Sequence, residues 1–185
     1  MDIYLPIGTH RELKISRKIT ETGPFTGGGW KLIWHTTEGN GLATMVKVLQ
    51  QKKAEPHFVI DHELGRVVQL VRLDEYARAL MHPPGTPETN RANCIQIEIC
   101  GFAKQADNWS EHSYRNLARL ALLIKHRVPI PNRATHPFRI NAARLTPNGF
   151  VKAAGWLGHE HVPNNDHYDP GALPARHIIR LMEKV

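Results

Sequence analysis

One stretch near the end of the sequence concentrates side chains that bind metal ions. Residues 158–171 read GHEHVPNNDHYDPG and hold three histidines, two prolines, two glycines and the carboxylate of Asp169. Neutral imidazole nitrogens and carboxylate oxygens are ligands that zinc accepts in catalytic sites, usually three from the protein with a fourth position open. A histidine-rich surface loop is the competing interpretation, because the chain has 12 histidines. Spacing alone does not decide between the two.

The backbone around these residues indicates where the ligands would point. His159 and His161 are two residues apart, so an extended segment would direct both to the same side. Asp169 precedes Pro170, which disfavours helical angles and holds the carboxylate in an extended or turn conformation. A third ligand must come from elsewhere. His35 is the best candidate, because it ends the apolar run LIWH just before TTEGNG, where a strand gives way to a loop.

A second carboxylate lies within a predicted strand. Residues 94–100 read CIQIEIC, and the alternation of isoleucine with other residues predicts a β-strand. A carboxylate is costly to bury unless it is paired or used in chemistry. Glu98 is therefore either a solvated or salt-bridged residue of the strand face or a catalytic group, and the pattern alone favours the first interpretation.

These residues carry a resemblance to a known family. WHTTEG around His35, IEICG around Glu98, and GHEHV with DPG around His159 and Asp169 resemble the zinc-dependent N-acetylmuramoyl-L-alanine amidases of the type 2 amidase and peptidoglycan-recognition-protein superfamily. The order and spacing agree over residues 30–173. GHEHVP followed by HYDPG is similar to the form in endolysins of phages that infect actinobacteria.

The resemblance implies a Zn²⁺ site made of His35, His159 and Asp169, with one position left for water. Zinc lowers the pKa of a bound water to about 7 and polarises a carbonyl, which makes amide hydrolysis feasible at neutral pH. Alternative ligand sets would use His161 or His167. His159 is preferred because it directly follows a glycine and lies ten positions before Asp169, as in the family.

The resemblance also implies catalytic roles. Glu98 matches the glutamate that serves as general base in bacterial members. His167 occupies the position of a lysine in many relatives and could stabilise an oxyanion, although a loop histidine without such a role is an equal alternative. Many members have a tyrosine where this chain has Pro56, and its absence puts more weight on Glu98 and His167. The implied substrate is the amide between the lactyl group of N-acetylmuramic acid and L-alanine of the stem peptide.

Two other functions compete with hydrolysis. A non-catalytic peptidoglycan-binding module of the same fold is one, but such modules typically lack one zinc ligand, and all three are present here. A nucleic-acid-binding domain is the other, because the net charge of +7 suggests an anionic partner. The sequence has no recognisable RNA motif, zinc-finger spacing or helix-turn-helix signature. We therefore expect bacterial peptidoglycan as the partner and no nucleic acid.

The elements that position the candidate residues can be predicted from periodicity and caps. They are a strand at 30–35, a helix at about 41–53 capped by Asn40, a hairpin of strands at 57–61 and 66–71, a strand at 94–100, a helix capped by Ser110 that reaches about residue 127, and a closing helix within 173–185. The apolar stripe of the first helix is interpreted as core rather than groove. This order predicts an α/β fold, with a central mixed β-sheet flanked by helices.

The chain is expected to form one domain. Residues 1–29 are interpreted as an N-terminal segment and loop, 30–173 as the family-like core, and 174–185 as the C-terminal helix. The proline-rich residues 74–93 predict a long surface loop, in which His82 either touches substrate or is merely solvated. Cys94 and Cys100 would lie about 20 Å apart along a strand, too far for a disulfide, and are expected to be buried.

The expected location of the protein depends on two kinds of segment, a signal peptide and a membrane span. The N-terminus has no pattern of a signal peptide, and no apolar run approaches the length of a membrane span. We therefore expect synthesis in the cytoplasm of a host without a signal peptide, action on the cell wall after release, and no membrane insertion. We expect a monomer.

Overall fold

The structure is a computed structural model that describes residues 3–80 and 88–185. The predicted loop residue His82 lies outside the described residues. The strands are β1 (Gly8–His10), β2 (Leu13–Arg17), β3 (Lys31–Thr36), β4 (Phe58–Asp61), β5 (Arg66–Gln69), β6 (Cys94–Ile99) and β7 (Gly155–Gly158). The helices are α1 (Leu42–Gln51), α2 (Glu111–Lys125), α3 (Pro147–Lys152) and α4 (Ala175–Leu181), and short 3₁₀ turns occur at Ala103–Gln105 and His159–His161.

The described strands form one mixed sheet in the order β1-β2-β5-β4-β6-β3-β7. The pairs β1/β2 and β4/β5 are antiparallel, and the second of these is the predicted hairpin. The neighbours β4, β6, β3 and β7 are all parallel. The carboxyl ends of these four strands therefore meet at one edge of the sheet, and the predicted α/β fold with a mixed sheet is confirmed.

Helices cover both faces of this sheet. On one face, Leu32 of β3 and Ile97 of β6 share a core cluster with Leu117 of α2 and Ile178 of α4. On the other face, Val46 of α1 packs in a cluster with β4, and α3 packs near the start of β3. All residues of β3 and β6 are buried. Because parallel strands are covered on both faces, the solvated strand face considered for Glu98 does not exist.

The N-terminal segment contains two strands that were not predicted. They are β1 and β2, and β2 extends the sheet by pairing in parallel with β5. Leu13 and Ile15 are buried in the main core, while the residues between and after them are exposed. The alternation covers only five residues, which is too short to stand out from a charged segment.

Of the two N-cap residues predicted from the sequence, one is confirmed and one is wrong. Ser110 caps α2 as predicted, and its hydroxyl accepts a hydrogen bond from the backbone N–H of Ser113. Asn40 does not cap α1, since the N-cap is Gly41 and no side chain bonds to the first turn. Gly41 has φ 88°, a left-handed conformation that glycine adopts without strain.

The C-terminal part differs from prediction mainly in its short elements. Residues 147–152 and 155–158 form α3 and β7, neither of which was predicted, and α4 is shorter than the closing segment. Cys94 and Cys100 are both free and buried, as expected. Within the described residues, no helix has the length and apolar character needed to cross a membrane.

Candidate metal centre

The parallel strands bring the predicted ligands to one edge of the sheet. His35 is the penultimate residue of β3, which lies between β6 and β7. The chain leaves β7 directly into the 3₁₀ turn that begins at His159. The turn is tied back to the ligand loop because the N–H of Glu160 donates to the carbonyl of Asp169 at 2.9 Å. All three candidate ligands are at least 95 % buried.

The ligand atoms converge at distances suited to one cation. The Nδ1 atoms of His35 and His159 are 3.0 Å apart. Asp169 places Oδ1 3.3 Å from Nδ1 of His159 and Oδ2 3.6 Å from Nδ1 of His35. A tetrahedral zinc site with bonds of about 2.0–2.1 Å separates its ligand atoms by about 3.3 Å. The cluster therefore fits a single small cation with nitrogen and oxygen ligands.

The electrostatics of the cluster favour the ligand forms of these side chains. Burial, together with the nearby His35, lowers the pKa of His159 to about 4. Burial alone would raise the pKa of Asp169, but contacts with His159, His167 and His35 hold it well below its ordinary value. The backbone N–H of Thr36 also donates to Oδ2 of Asp169 at 3.3 Å. A neutral imidazole and an ionised carboxylate are the forms that bind metal.

His161 lies outside this cluster, and the expectation that it would face the same way as His159 is wrong. The two residues occupy a 3₁₀ turn rather than an extended segment. Nδ1 of His161 accepts a hydrogen bond from the N–H of Gly158 at 2.9 Å, and its Nε2 lies 3.1 Å from the carbonyl oxygen of Pro137. Both ring nitrogens are therefore engaged away from the cluster.

His167 flanks the cluster on its open side. Its ring stacks on that of His159 with centroids 4.0 Å apart and planes inclined by 18°. Its Nδ1 lies 3.2 Å from Oδ1 of Asp169, and this hydrogen bond raises the pKa of His167. The side chain is 42 % exposed. His167 is thus placed to donate a hydrogen bond to a group that enters from solvent.

Glu98 lies beside His35 on the neighbouring strand, as the register of β3 and β6 requires. Its Oε1 is 3.9 Å from Nδ1 of His35. Its Oε2 is buried and has no hydrogen-bond partner among the described residues. Burial raises the pKa of Glu98 to about 7, although His35 acts in the opposite direction. A carboxyl held next to the cluster without a partner can exchange a proton with a reacting group.

Two further acidic residues lie close to the cluster, and neither was predicted from the sequence. Oε1 of Glu38 accepts hydrogen bonds from Thr36 and from the N–H of Ala103, and its Oε2 accepts one from the hydroxyl of Tyr168 at 3.2 Å. Glu38 lies three positions after His35 in the motif WHTTEG, and this closeness was the signal that could have identified it. Glu160 is 1 % exposed, and burial raises its pKa to about 9. No pattern in the sequence distinguished it from a solvated loop residue.

A cavity of about 510 Å³ opens onto the cluster. Glu98, His159, His167 and Asp169 lie at one part of it. Other lining side chains are the apolar Met45, Val48 and Leu49 of α1, together with Lys52, Arg78 and Leu80. The apolar stripe of α1 therefore packs on the core and also lines the groove, so its interpretation as core alone is corrected. An extended chain with apolar and anionic groups would complement this lining.

Two solved structures, a hydrolase and an AmpD derivative, share this fold. The chain is similar to the Staphylococcus aureus hydrolase AmiA in complex with its ligand, with 14% identity, a TM-score of 0.59, and coverage of 95% of this chain and 84% of that chain. It is also similar to an AmpD derivative, with 16% identity, a TM-score of 0.53 and coverage of 95% and 98%. A mutant endolysin from Bacillus subtilis matches 65% of this chain and 80% of that chain at 21% identity, with a TM-score of 0.46.

Fold and site together define an α/β protein with a buried His–His–Asp cluster at the carboxyl edge of parallel strands. The sequence matches the profile of the N-acetylmuramoyl-L-alanine amidase family over residues 30–172, and the chain belongs to this family. No curated protein matches the sequence significantly. The family match includes all three cluster residues as well as Glu98 and His167.

Proposed function

We propose that the protein is a zinc-dependent N-acetylmuramoyl-L-alanine amidase whose metal ligands are His35, His159 and Asp169. The reaction is hydrolysis of the amide between the lactyl group of N-acetylmuramic acid and L-alanine of the stem peptide. The observation that supports this most is the buried cluster of two imidazoles and one carboxylate, with all ligand atoms within 4.8 Å of one another, in a chain of the amidase family.

The residues around the cluster have different roles in the proposed reaction. A bound zinc ion would supply a Lewis acid for the scissile carbonyl and would lower the pKa of a water molecule. Glu98 accepts a proton from the attacking water and transfers it to the leaving nitrogen of L-alanine. His167 donates a hydrogen bond to the oxygen that becomes negative in the tetrahedral intermediate. Burial of Glu98 strengthens its interaction with the transferred proton, because water is largely excluded there.

The proposal extends to the setting in which the enzyme works. The resemblance of GHEHVP and HYDPG to phage endolysins supports a role as the catalytic domain of an endolysin. In that role a monomer made in the host cytoplasm reaches peptidoglycan after release, and the net charge of +7 suits an anionic wall. We assign catalysis to residues 30–173, with 1–29 and 174–185 completing the same single domain.

The decisive experiment measures metal content and wall hydrolysis in the same preparations. Wild-type protein should hold near one zinc per chain and release stem peptides with a free L-alanine amine from purified cell wall. His159→Ala should lose most of the zinc and the activity. Glu98→Ala should keep zinc and lose most turnover, because it removes the proton acceptor but no ligand.

The control is His126→Ala, which removes an exposed histidine at the end of α2. It should match wild-type protein in metal and in activity. Equal zinc and equal activity in wild-type protein and in the His159 and Glu98 variants would disprove the assignment. Binding to cell wall without any cleavage by zinc-loaded protein would instead establish the non-catalytic module.

A further inference from the structure

A second, smaller cavity opens at the carboxyl edge of the sheet. Its volume is about 190 Å³, room for about six water molecules. The polar and aromatic side chains that line it are Asn40, Asp61, His62, Glu63, Gln105 and Trp109. It lies where β4 and β6 end, whereas the metal cluster lies where β3, β6 and β7 end. Both sites therefore use the end of β6.

An isolated backbone bridge lies next to lining residues of both cavities. Gly39 and Gly101 form an isolated antiparallel bridge, with N–O distances of 2.8 and 3.3 Å. Residues before this bridge, Glu38 and Glu98, line the main cavity, while Asn40 and Gly101 line the smaller one. Three residues of extended chain correspond to about 10 Å, so the Cα atom of Gly101, which lines the smaller cavity, lies within about 10 Å of the Cα atom of Glu98.

The smaller cavity is built around an indole ring. Trp109 stacks on His62 with ring centroids 4.0 Å apart and planes inclined by 24°. A Cβ atom on Gly101 would lie 2.9 Å from Cζ2 of Trp109, so a side chain at this position would displace the ring. Gly101 also has φ 147°, which side chains rarely adopt. The glycine therefore allows the indole to lie against the turn.

The chemistry of the lining differs between the two cavities. The smaller one carries the carboxylates of Asp61 and Glu63 and the amides of Asn40 and Gln105. No lysine or arginine is among its described lining residues, whereas Lys52 and Arg78 line the main cavity. Carboxylates and amides bind hydroxyl and amide groups, and the part of the indole that His62 and the core leave exposed adds apolar surface. This combination suits a neutral, polyhydroxylated ring rather than an anion.

We propose that the smaller cavity binds one N-acetylated hexosamine ring of the glycan strand while the stem peptide occupies the main cavity. This inference rests on the proposed function. The scissile amide joins a lactyl group on a sugar to a peptide, so glycan and peptide leave the reacting bond in different directions. The chain passes from residues that line one cavity to residues that line the other near the bridge between Gly39 and Gly101, and Glu98 lies three residues before Gly101.

A comparison of two substrates tests this assignment. One is a disaccharide that carries a stem peptide, and the other is the same peptide with only a D-lactyl group, which keeps the scissile bond and lacks the sugar. Gln105→Ala and Glu63→Gln should each lower kcat/KM for the sugar-bearing substrate about five- to tenfold. Hydrolysis of the lactyl peptide should be unchanged, because neither exposed residue borders the metal cluster.

Asp107→Asn is the matched control, since this exposed residue lies on the same loop and does not line the cavity. It should leave both substrates unaffected. The inference is wrong if the Gln105 and Glu63 variants cleave both substrates as wild-type protein does, or lose activity on both to the same degree.

A binding measurement on metal-free protein separates this inference from the proposed function. An oligomer of N-acetylglucosamine should quench tryptophan fluorescence of the wild-type protein and bind about tenfold more weakly to Gln105→Ala. Trp109→Ala should abolish the quenching, and circular dichroism would verify that it folds, because Trp109 also packs against the core. Failure of hydrolysis would disprove only the amidase proposal. Equal affinity of wild-type protein and Gln105→Ala, or quenching that persists in Trp109→Ala, would disprove the sugar site.

Discussion

The Nδ1 atoms of His35 and His159 face each other across 3.0 Å, although 124 positions separate these residues in the chain. The Nε2 atoms of both rings are buried without hydrogen-bond partners among the described residues. Two neutral imidazoles can form one mutual hydrogen bond, and then both remaining nitrogens stay unsatisfied. A shared cation would give both Nδ1 atoms a common partner and would remove the need for a proton between them.

Zinc should therefore stabilise the folded chain. At a free zinc concentration of 100 times Kd, binding adds about 2.7 kcal/mol, which for a domain of this size corresponds to a rise in Tm of about 5–10 °C. Thermal unfolding of chelator-treated protein with and without added zinc measures this shift. His126→Ala should show the full shift and His159→Ala very little. An equal rise in Tm for His159→Ala would mean that zinc binds at a site that does not include His159.

The glycine before His159 has a packing role that a double-mutant cycle can expose. A Cβ atom on Gly158 would overlap with the carboxyl group of the buried Glu160. Gly158→Ala should therefore lower the free energy of unfolding by about 1–3 kcal/mol, as other overpacked sites do. In a Glu160→Ala background the same change should cost much less, because the opposing carboxyl is gone. Chemical denaturation of the four proteins gives the coupling, and additive effects would refute the steric explanation.

Prediction from the sequence was most accurate for features that a local side chain determines, such as the cap of a helix. Ser110 capped its helix because a hydroxyl before an amphipathic segment meets a nearby N–H whatever else surrounds it. Asn40 failed because the chain instead turns through the left-handed Gly41. His35, His159 and Asp169 were found together through the motifs of a family. Spacing alone could not place them, since their meeting depends on the pairing of β3 with β7.

The supporting side chains were harder to predict because their environment is created only by folding. Glu160 reads as a solvated loop residue, yet a 3₁₀ turn buries it. The short strand β2 gains its place from parallel pairing with β5, a contact across about 50 residues. Such long-range pairings leave no periodic trace when the strand has only a few residues.

The main cavity predicts how the stem peptide is held. Lys52 lines it at the end of α1, whereas Lys47 lies on the exposed face of the same helix and is not a lining residue. Stem peptides carry free carboxylates, so Lys52→Ala should raise KM about three- to tenfold and leave kcat nearly unchanged. Such a contact is equal in the ground state and the transition state. Lys47→Ala is the control, and equal kinetics in both variants would contradict a peptide site there.

The buried His57 makes stability depend on pH through a different part of the molecule. Its Nδ1 accepts a hydrogen bond from the N–H of Gln96 at 3.0 Å, and its Nε2 donates to the carbonyl of Glu75 at 2.8 Å. A second proton would have to sit on Nδ1, facing the N–H of Gln96. Burial lowers the pKa of His57 from 6.5 to about 4, although the bond to Glu75 opposes this.

Between pH 6.5 and about 4 the unfolded chain therefore binds a proton at His57 that the folded chain does not. The free energy of unfolding should fall as the pH falls through this range, with about 3 kcal/mol at stake for a shift of this size. Urea unfolding of metal-free protein at several pH values, compared with His57→Gln, isolates this contribution. The variant should be less stable at pH 7 and show a shallower pH dependence, because its side chain has no proton to gain. Parallel pH profiles for the two proteins would contradict the prediction, because they would mean that His57 has the same pKa in the folded and unfolded chains.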